Sequence, residues 1–329
     1  MNFLDLFAGI GGFRLGMEAA GHKCIGFCEI DRFARASYKA IHDTRGEIEF
    51  HDITSVSNDF IQSIGTVDII CGGFPCQAFS IAGNRRGFED TRGSLFFEIA
   101  RFTSILRPKI LFLENVRGLL NHDKGRTFET ILQTLDGLGY NVEWQVLNSK
   151  DFGVPQNRER VFIIGHLRGE GGRKVFPIGG QIKKTNFEPK IDIIGNTKPN
   201  NCSRKGTRSV VYNPEGLIGA LTATDYKEPK QIIIAGKIKS KFEYPNRIYD
   251  IEGISPTLNT MQGGNREPKI QVNETQIRKL TPKECWRLQG FPDYAFEKAA
   301  QVNSDSQLYK QVGNSVTVNV IKAIALKLK

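Results

Sequence analysis

The sequence predicts an α/β fold in which a doubly wound, mostly parallel sheet is joined to a second, smaller and loop-rich domain. From residue 1 to about 168, short apolar runs alternate with amphipathic stretches, and many runs are apolar enough to be buried on both faces. Strands that alternate with helices of this length favour parallel pairing. Beyond residue 168 the composition shifts to Gly, Asn, Pro and Lys, with no long helical period. Two domains are therefore expected in a chain of 329 residues.

Individual elements follow from the same periodicity. The predicted strands are "NFLDLF", "KCIGFCEI", a short third strand that ends at Asp52, "VDIIC", "KILFLENV" and "RVFIIGHL". The predicted helices are "RFARASYKAIH", "SLFFEIARFTSIL", "FETILQTLDGL" and "TPKECWRLQGF", the last with Thr281 as N-cap and Pro282 in its first turn. We assign residues 1–170 to the first domain, completed by a C-terminal helix at 302–329. Residues 171–301 form the second domain and hinge.

The composition excludes several classes of protein. No apolar run approaches the roughly 20 residues that span a bilayer, which predicts a soluble chain without a membrane partner. The N-terminus has no basic leader and carries Asp5 in its apolar run, which predicts a cytoplasmic location. Six cysteines are too sparse for a disulfide framework and lack the paired CxxC spacing of zinc sites. Free thiols and no metal are expected.

Basic charge is concentrated in the second domain. Residues 171–275 contain 17 Lys and Arg against 10 Asp and Glu, so they hold most of the net charge of +10 and suggest a polyanionic partner. Within this region, residues 212–230 and 249–269 share Tyr, Glu-Gly and Leu in one register, and both close on Glu-Pro-Lys after a two-residue difference in length. We interpret them as two related hairpin-like units, which are either a structural duplication or a pair of loops that face nucleic acid.

A glycine-rich loop follows the first strand. Ligands of open parallel sheets bind beyond the carboxyl ends of the strands, so each of these loops is a candidate site. Gly9, Gly11 and Gly12 permit a tight turn and a close approach of the backbone to a ligand. The dinucleotide fingerprint would need glycine at position 14, where this chain has Arg14, so a nicotinamide cofactor is disfavoured.

Acidic residues end the next two strands. Glu29 can accept hydrogen bonds from ribose hydroxyls, Asp52 can accept from an adenine amine, and Phe7 can stack on the adenine ring. Each residue alone is more often a solvated cap or turn residue. In this order they outline an adenosine pocket without a phosphate cradle, and the ligand with that chemistry is S-adenosylmethionine.

The loop "GGFPCQAFS" holds a cysteine at the end of the fourth strand. Cys71 falls in the apolar run and is expected to be a small buried hydrophobe. Cys76 has no core pattern around it, and Pro75 restrains the backbone directly before it. A rigid loop would hold the thiol in a cleft as a nucleophile.

The fifth strand ends in Glu114, whose apolar surroundings should raise its pKa and make it a general acid. Arg158 and Arg160, before a later strand, could lower the pKa of the thiol and donate to a carbonyl oxygen. The alternative for such arginines is a surface ion pair.

These residues fall within motifs that resemble those of the C5-cytosine methyltransferases, specifically the compact bacterial DNA enzymes of restriction-modification systems. The matching stretches are "DLFAGIGG", "GGFPCQAFS", "ENV", "QNRER", "RKLTPKECWRLQGFP" and "QVGNSV". They occur in the family's order and cover about 1–168 and 278–329, nearly everything except the basic region. The resemblance implies a Rossmann-like, S-adenosylmethionine-dependent methyltransferase fold.

The resemblance also implies roles for the matching residues. Cys76 attacks C6 of cytosine, Glu114 protonates or hydrogen-bonds N3, and Arg160 contacts O2. The residues that support this centre are Asn115, Arg158 and Pro75. The implied cofactor-binding residues are Phe7, Ala8, Gly9, Gly11, Gly12, Glu29, Ile30, Asp52, Ile53, Gly73, Pro75, Asn314 and Ser315. S-adenosylhomocysteine is the expected product.

The implied substrate is a flipped-out cytosine in a specific short sequence of double-stranded DNA. The basic region falls where the family has its target-recognition domain, and the implied DNA-binding residues are Gln77, Ser80, Thr257 and Leu258. The first repeat has Ala220 and Leu221 where the second has this Thr-Leu pair. His51 also departs from the family, in which many members have glycine.

The resemblance further implies a monomeric, nucleoid-associated modification enzyme, with a cognate restriction endonuclease acting separately on the same site. One alternative is a tRNA cytosine-5 methyltransferase with the same motifs, against which the sizeable recognition domain argues. The other is a catalytically silent DNA-binding relative, against which the intact Cys76, Glu114 and Arg160 argue.

Overall fold

The computed structural model is described over most of the N-terminal half and the C-terminus, and over short segments between them. The described residues are 1–75, 95–179, 193–196, 210–212, 231–232, 236–237, 247–250, 255–258, 260, 269–273 and 276–328. Internal contacts divide the chain into two units. Unit 1 comprises Met1–Gln181, Thr257–Gln262 and Pro282–Lys329, and unit 2 comprises Ile182–Pro256 and Gly263–Thr281.

Unit 1 contains a seven-stranded sheet. Its strands are β1 (Asn2–Leu6), β2 (Lys23–Cys28), β3 (Ile48–Phe50), β4 (Ile69–Gly73), β5 (Ile110–Val116), β6 (Tyr140–Asn148) and β7 (Glu159–Leu167). The strand order is β3-β2-β1-β4-β5-β7-β6. The pairs among β1 to β5 are parallel, whereas β7 runs antiparallel to both β5 and β6. This confirms the mostly parallel α/β sheet.

Helices cover both faces of this sheet. The described helices of unit 1 are α1 (Gly12–Glu18), α2 (Arg32–Ile41), α3 (Asn58–Ser63), α4 (Leu95–Leu106), α5 (Arg126–Gly137), α6 (Pro282–Leu288), α7 (Asp293–Ala300), α8 (Asp305–Asn314) and α9 (Val318–Ala325). Short 3₁₀ helices lie at Ile53–Ser55, Arg117–Gly125 and Ser149–Phe152.

The alternation of side chains along β1 shows how the two cores form. Leu4 and Leu6 belong to one hydrophobic cluster, which includes buried side chains of α3, α4 and α5. Phe3 belongs to the other, which includes buried side chains of α1 and α9. Successive side chains of a strand point to opposite faces, so each face of β1 supplies one core. Full burial of each such side chain contributes about 1.5 to 3 kcal/mol.

Two elements differ from the prediction. Strand β6 is not among the predicted strands, because its half-buried edge position gives a mixed polar and apolar sequence rather than an apolar run. The single C-terminal helix predicted at 302–329 is wrong, since α8 and α9 are separated at Ser315–Thr317. The guanidinium of Arg158 binds the backbone carbonyls of Gly313 and Ser315 at this break, which satisfies carbonyls exposed where α8 ends.

The described residues of unit 2 form two small sheets. Its strands are β8 (Ile193–Asn196), β9 (Val210–Tyr212), β10 (Gln231–Ile232), β11 (Gly236–Lys237), β12 (Arg247–Asp250), β13 (Lys269–Asn273) and β14 (Gln276–Lys279). Strands β8 to β10 form one sheet and β11 to β14 the other. Most of both repeats lies outside the described residues. Residues 282–301, which the sequence placed with the hinge, group with unit 1 by their contacts.

The cysteines in the described parts of the chain are Cys24, Cys28, Cys71 and Cys285, and all four are free and buried. Cys71 is fully buried, as predicted. The described helices include none that is long and apolar enough to cross a membrane.

Candidate active site

A cavity of about 420 Å³ lies at the carboxyl ends of β1, β2, β4 and β5, where the sequence predicted the ligand site. Its volume falls in the range of about 300 to 1,000 Å³ that is typical of small-molecule pockets. The N-terminal end of α2, helix α8 and the start of β7 also contribute to the lining. The predicted site residues that line it are Phe7, Gly9, Glu29, Gly73, Pro75, Glu114, Asn115, Arg158, Arg160 and Asn314.

Glu114 and Arg160 form a buried ion pair in this cavity. The Nε atom of Arg160 lies 3.0 Å from Oε1 of Glu114, because β5 and β7 are neighbouring antiparallel strands. Burial raises the pKa of Glu114, although the charges of Arg160 and Arg158 oppose this rise. The direction agrees with the sequence prediction. A carboxyl group with a raised pKa retains its proton to higher pH, which is the property that a general acid requires.

Gly73 explains how the Glu114 carboxylate is accommodated. A Cβ atom on Gly73 would lie 2.8 Å from Oε2 of Glu114, so any larger residue would displace this oxygen. Asn115 secures the same loop from the neighbouring strand, since its Nδ2 donates to the carbonyl of Phe74 at 2.9 Å. The residue that precedes Pro75 is thus tied to the end of β5.

Arg158 is buried and serves a different part of the site. Its guanidinium donates to the carbonyls of Leu258, Gly313 and Ser315 at 3.3, 3.3 and 2.7 Å. Burial, together with the charge of Arg160, lowers the pKa of Arg158 to about 9, which leaves it cationic at neutral pH. Arg158 therefore joins the start of β7 to the segment that follows α8, and it is not the surface ion pair considered as the alternative.

Glu29 occupies the other side of the cavity. Its Oε2 accepts from the amide of Gly9 at 2.7 Å, and its Oε1 accepts from the amide of Asp31 at 2.8 Å. Burial raises the pKa of Glu29, while these two backbone hydrogen bonds oppose the change. Each carboxylate oxygen retains a lone pair for a ligand hydroxyl. Phe7 lines the cavity with a left-handed backbone, φ 56°, at the end of β1.

The three predicted cofactor glycines have different physical roles. Only Gly9 lines the cavity, and a Cβ atom there would have no heavy atom within 4 Å. A Cβ atom on Gly11 would lie 2.1 Å from Nε2 of the buried His42. On Gly12 it would lie 2.7 Å from Oγ of Ser315. The predicted close approach of the backbone to a ligand thus applies to Gly9. Gly11 and Gly12 instead allow His42 and Ser315 to pack closely against the loop.

Gly11→Ala is therefore expected to destabilise the protein more than Gly9→Ala. Both positions have positive φ, 83° and 56°. Alanine there costs about 1 to 2 kcal/mol, and the collision with His42 adds about 1 to 3 kcal/mol for Gly11→Ala alone. Denaturant unfolding of the two variants without ligand measures the difference. Equal free energies of unfolding would contradict the packing role of Gly11.

Several predicted residues do not line the cavity. Asp52 caps the 3₁₀ helix at Ile53–Ser55, and its Oδ1 accepts from the amide and hydroxyl of Thr54. Ile30 is 68% exposed. The other predicted cofactor residues that the cavity lining omits are Ala8, Gly11, Gly12, Ile53 and Ser315.

The predicted DNA-binding residues in unit 1 make internal contacts. Thr257 donates its hydroxyl to the carbonyl of Asn157, and the side chain of Leu258 is 2% exposed. Their contacts with DNA remain a prediction. Cys76, Gln77 and Ser80 lie outside the described residues.

The sequence analysis missed three polar residues of the cavity lining. They are Asp31, Lys310 and Gln311. Lys310 precedes the predicted Asn314 by four residues, a helical spacing that could have identified it. Gln311 is buried, and its Nε2 has no hydrogen-bond partner among the described residues. A buried amide nitrogen without a partner in a cavity suits a ligand that supplies an acceptor.

Comparisons with known proteins identify the family. Residues 1–329 match the C-5 cytosine-specific DNA methylase family. The chain is 40% identical over 346 residues to the type II methyltransferase M.HpaII of Haemophilus parainfluenzae, covering 99% of this chain and 88% of that protein. It is 37% identical over 331 residues to the type II methyltransferase M.HhaI of Haemophilus parahaemolyticus, covering 100% and 94%.

Solved structures agree on the fold. A putative DNA modification methyltransferase encoded within an E. coli prophage has a TM-score of 0.65 at 22% identity, covering 100% of this chain and 98% of that chain. The S. pombe Dnmt2 methyltransferase has a TM-score of 0.66 at 19% identity, with the same coverage. The chain therefore belongs to the C-5 cytosine-specific DNA methylase family, and its reaction is the S-adenosylmethionine-dependent methylation of C5 of cytosine in DNA.

Proposed function

We propose that this enzyme methylates a flipped-out cytosine in a specific short sequence of double-stranded DNA through a covalent bond between Cys76 and C6. The observation that carries the proposal is the shared cavity, in which the Glu114–Arg160 pair and the Glu29 carboxylate line one space with Pro75. A base and a methyl donor must meet in one cavity for transfer to occur. Family membership supports the same reaction.

The proposed mechanism begins at the cytosine ring. Cytosine C5 is a poor nucleophile, so the thiolate of Cys76 first adds to C6 while the proton of Glu114 is transferred to, or shared with, N3. Electron density then moves to C5, which becomes an enamine carbon. After methylation of C5, water accepts the C5 proton, which restores the double bond and breaks the bond between sulfur and C6, and N3 returns its proton to Glu114. Arg160 orients Glu114 and donates toward O2.

S-adenosylmethionine supplies an electrophilic methyl group when it is bound. The residues that would hold it are Glu29 at the ribose, Phe7 beside the adenine ring, and Asn314 on α8. The free lone pairs of Glu29 and the unpartnered Nε2 of Gln311 fit a ligand that carries hydroxyl groups and acceptor atoms. Asp52 is proposed to accept a hydrogen bond from the adenine amine and Ile30 to contact the cofactor, although neither residue lines the cavity. No metal has a role in this mechanism.

We propose that unit 2, residues 182–256 and 263–281, forms the body of the target-recognition domain that the sequence placed within residues 171–301. Lys and Arg in this region would contact phosphates, and a few loop residues would contact base edges. The relatives M.HpaII and M.HhaI are type II methyltransferases. By analogy we propose a monomeric modification enzyme in the cytoplasm, with a cognate endonuclease that acts separately on the same site.

The first experiment identifies the target and the substrate class. Bisulfite sequencing of DNA from cells that express the protein should show C5-methylcytosine at one short sequence. Purified protein with radiolabelled S-adenosylmethionine should label duplex DNA that contains this sequence and should not label tRNA. Labelling of tRNA alone would replace this proposal with the tRNA alternative.

A covalent complex is expected on duplex DNA that carries 5-fluorocytosine at the target position. Fluorine at C5 cannot leave as a proton, so the ring cannot release Cys76 after methylation. The complex should appear as a band that resists denaturation, whereas the same duplex with cytosine should give none. Efficient methylation of the cytosine duplex without a band on the fluorinated duplex would contradict addition at C6.

A further inference from the structure

Helix α8 presents three polar side chains to the cavity. Lys310, Gln311 and Asn314 all line it. At 100° per residue these positions fall within one 100° arc of the helix, with Asn314 between the other two. One face of α8 is therefore a row of hydrogen-bond donors beside the proposed cofactor site.

Lys310 differs from the other two cations of the cavity lining. Arg158 donates to three backbone carbonyls, and Arg160 is bound to Glu114 and to the carbonyl of Glu159. Within the described part of the chain, Nζ of Lys310 has a single partner, Oδ2 of Asp31 at 2.6 Å. An ammonium group has three donors, so two remain for a ligand.

Asp31 fixes this ammonium group close to the proposed ribose site. Its Oδ1 caps α2 by accepting from the amides of Phe33 and Ala34, and its own amide donates to Glu29. Burial opposes ionisation of Asp31, but the hydrogen bond from Lys310 and those from the two amides outweigh it and lower its pKa. Asp31 is thus an ionised anchor that holds Lys310 beside Glu29.

The remaining charges of the cavity point to the part of the ligand that Lys310 meets. S-adenosylmethionine carries a positive sulfonium, a positive ammonium and one negative group, the α-carboxylate. A lysine repels the first two and attracts only the third. The carboxyl groups of Glu29 and Glu114 are acceptors and cannot bind a carboxylate when they are ionised.

We propose that Lys310 is a specificity-determining residue that binds the α-carboxylate of S-adenosylmethionine, so that ligands without this carboxylate bind weakly. The inference rests on the proposed cofactor site. The unpartnered Nε2 of the buried Gln311 provides a second donor for a carboxylate with two oxygens. Asn314 lies between them on the helix face.

The test compares two ligands by isothermal titration calorimetry of the full-length protein. One is S-adenosylhomocysteine, and the other is its decarboxylated analogue, the 3-aminopropyl thioether of 5′-deoxyadenosine, which retains the ammonium group. The wild-type protein should prefer S-adenosylhomocysteine by about 10- to 100-fold, the effect of one charge-assisted hydrogen bond. Lys310→Met should weaken binding of S-adenosylhomocysteine by that factor and leave binding of the analogue unchanged. Lys310→Arg should retain the preference.

One control variant and a second test variant make the result specific. Lys322→Met changes an exposed lysine of α9 and should alter neither affinity. Asp31→Asn removes the carboxylate that holds Lys310 in place but keeps a side chain that caps helices well, so the preference for S-adenosylhomocysteine over the analogue should fall. Asp31→Asn also tests the proposal if Lys310→Met does not fold.

The outcomes separate this inference from the proposed function. If Lys310→Met weakens the binding of both ligands equally, or leaves the preference for S-adenosylhomocysteine over the analogue unchanged, Lys310 does not bind the carboxylate. An unchanged preference in Asp31→Asn would also contradict this role of Lys310. A wild-type protein that binds neither ligand would instead contradict the proposed cofactor site.

Discussion

Cys76→Ala is expected to abolish methyl transfer to DNA, with a loss of about 10⁴- to 10⁶-fold, the scale seen when an enzyme loses its nucleophile. Alanine cannot add to C6, so C5 is never activated toward the methyl group. Binding of S-adenosylhomocysteine should remain within a few-fold of wild type, because the cavity residues proposed to bind it are unchanged. A filter-binding methylation assay and calorimetry measure the two properties separately.

Cys71→Ala is the matched control for this prediction. Cys71 is five residues earlier and fully buried in β4, with Sγ next to the carbonyl of Leu4. Its replacement should lower stability by about 1 kcal/mol or more, since a buried group is removed, and should leave methyl transfer intact. Activity retained by Cys76→Ala would refute the nucleophile assignment.

Glu114→Gln should reduce kcat by about 10²- to 10⁴-fold, the usual contribution of a general acid. Glutamine has nearly the same shape and can still donate a hydrogen bond, but it cannot transfer a proton to N3. The wild-type enzyme should lose activity as pH rises through the raised pKa of Glu114, because the acid is then deprotonated. Single-turnover rates across pH should show this alkaline limb for the wild type and lack it for Glu114→Gln.

Glu159→Gln provides the control for Glu114→Gln. Glu159 is in β7 next to Arg160, and its carboxylate forms an exposed ion pair with Arg117. An exposed pair contributes about 0 to 1 kcal/mol, so this change should affect neither stability nor the alkaline limb appreciably. A wild-type rate that does not fall at high pH, or a Glu114→Gln variant with normal kcat, would exclude general acid catalysis by Glu114.

Much of the sheet could be predicted from local sequence alone. Strands β1, β2, β4, β5 and β7 follow from apolar runs, because buried strands need apolar side chains on both faces. The short β3 follows from its position before Asp52. Strand β6 could not be found in this way, since an edge strand with half-buried faces has a mixed sequence. At the break between α8 and α9, the backbone carbonyls are bound by Arg158, which is more than 150 residues away.

The candidate site could likewise be predicted only in part from local sequence. The sequence by itself determined which reactive side chains lie near the strand ends. The identities of Glu29, Cys76 and Glu114, and their positions after apolar runs, can be read from short stretches of sequence. Only the tertiary structure decided that Arg160 pairs with Glu114 and that Lys310 joins Asp31. These contacts connect segments distant along the chain, and their geometry depends on strand order and helix packing, which no single stretch of sequence encodes. The same holds for Gly11, whose need for glycine comes from the ring of His42.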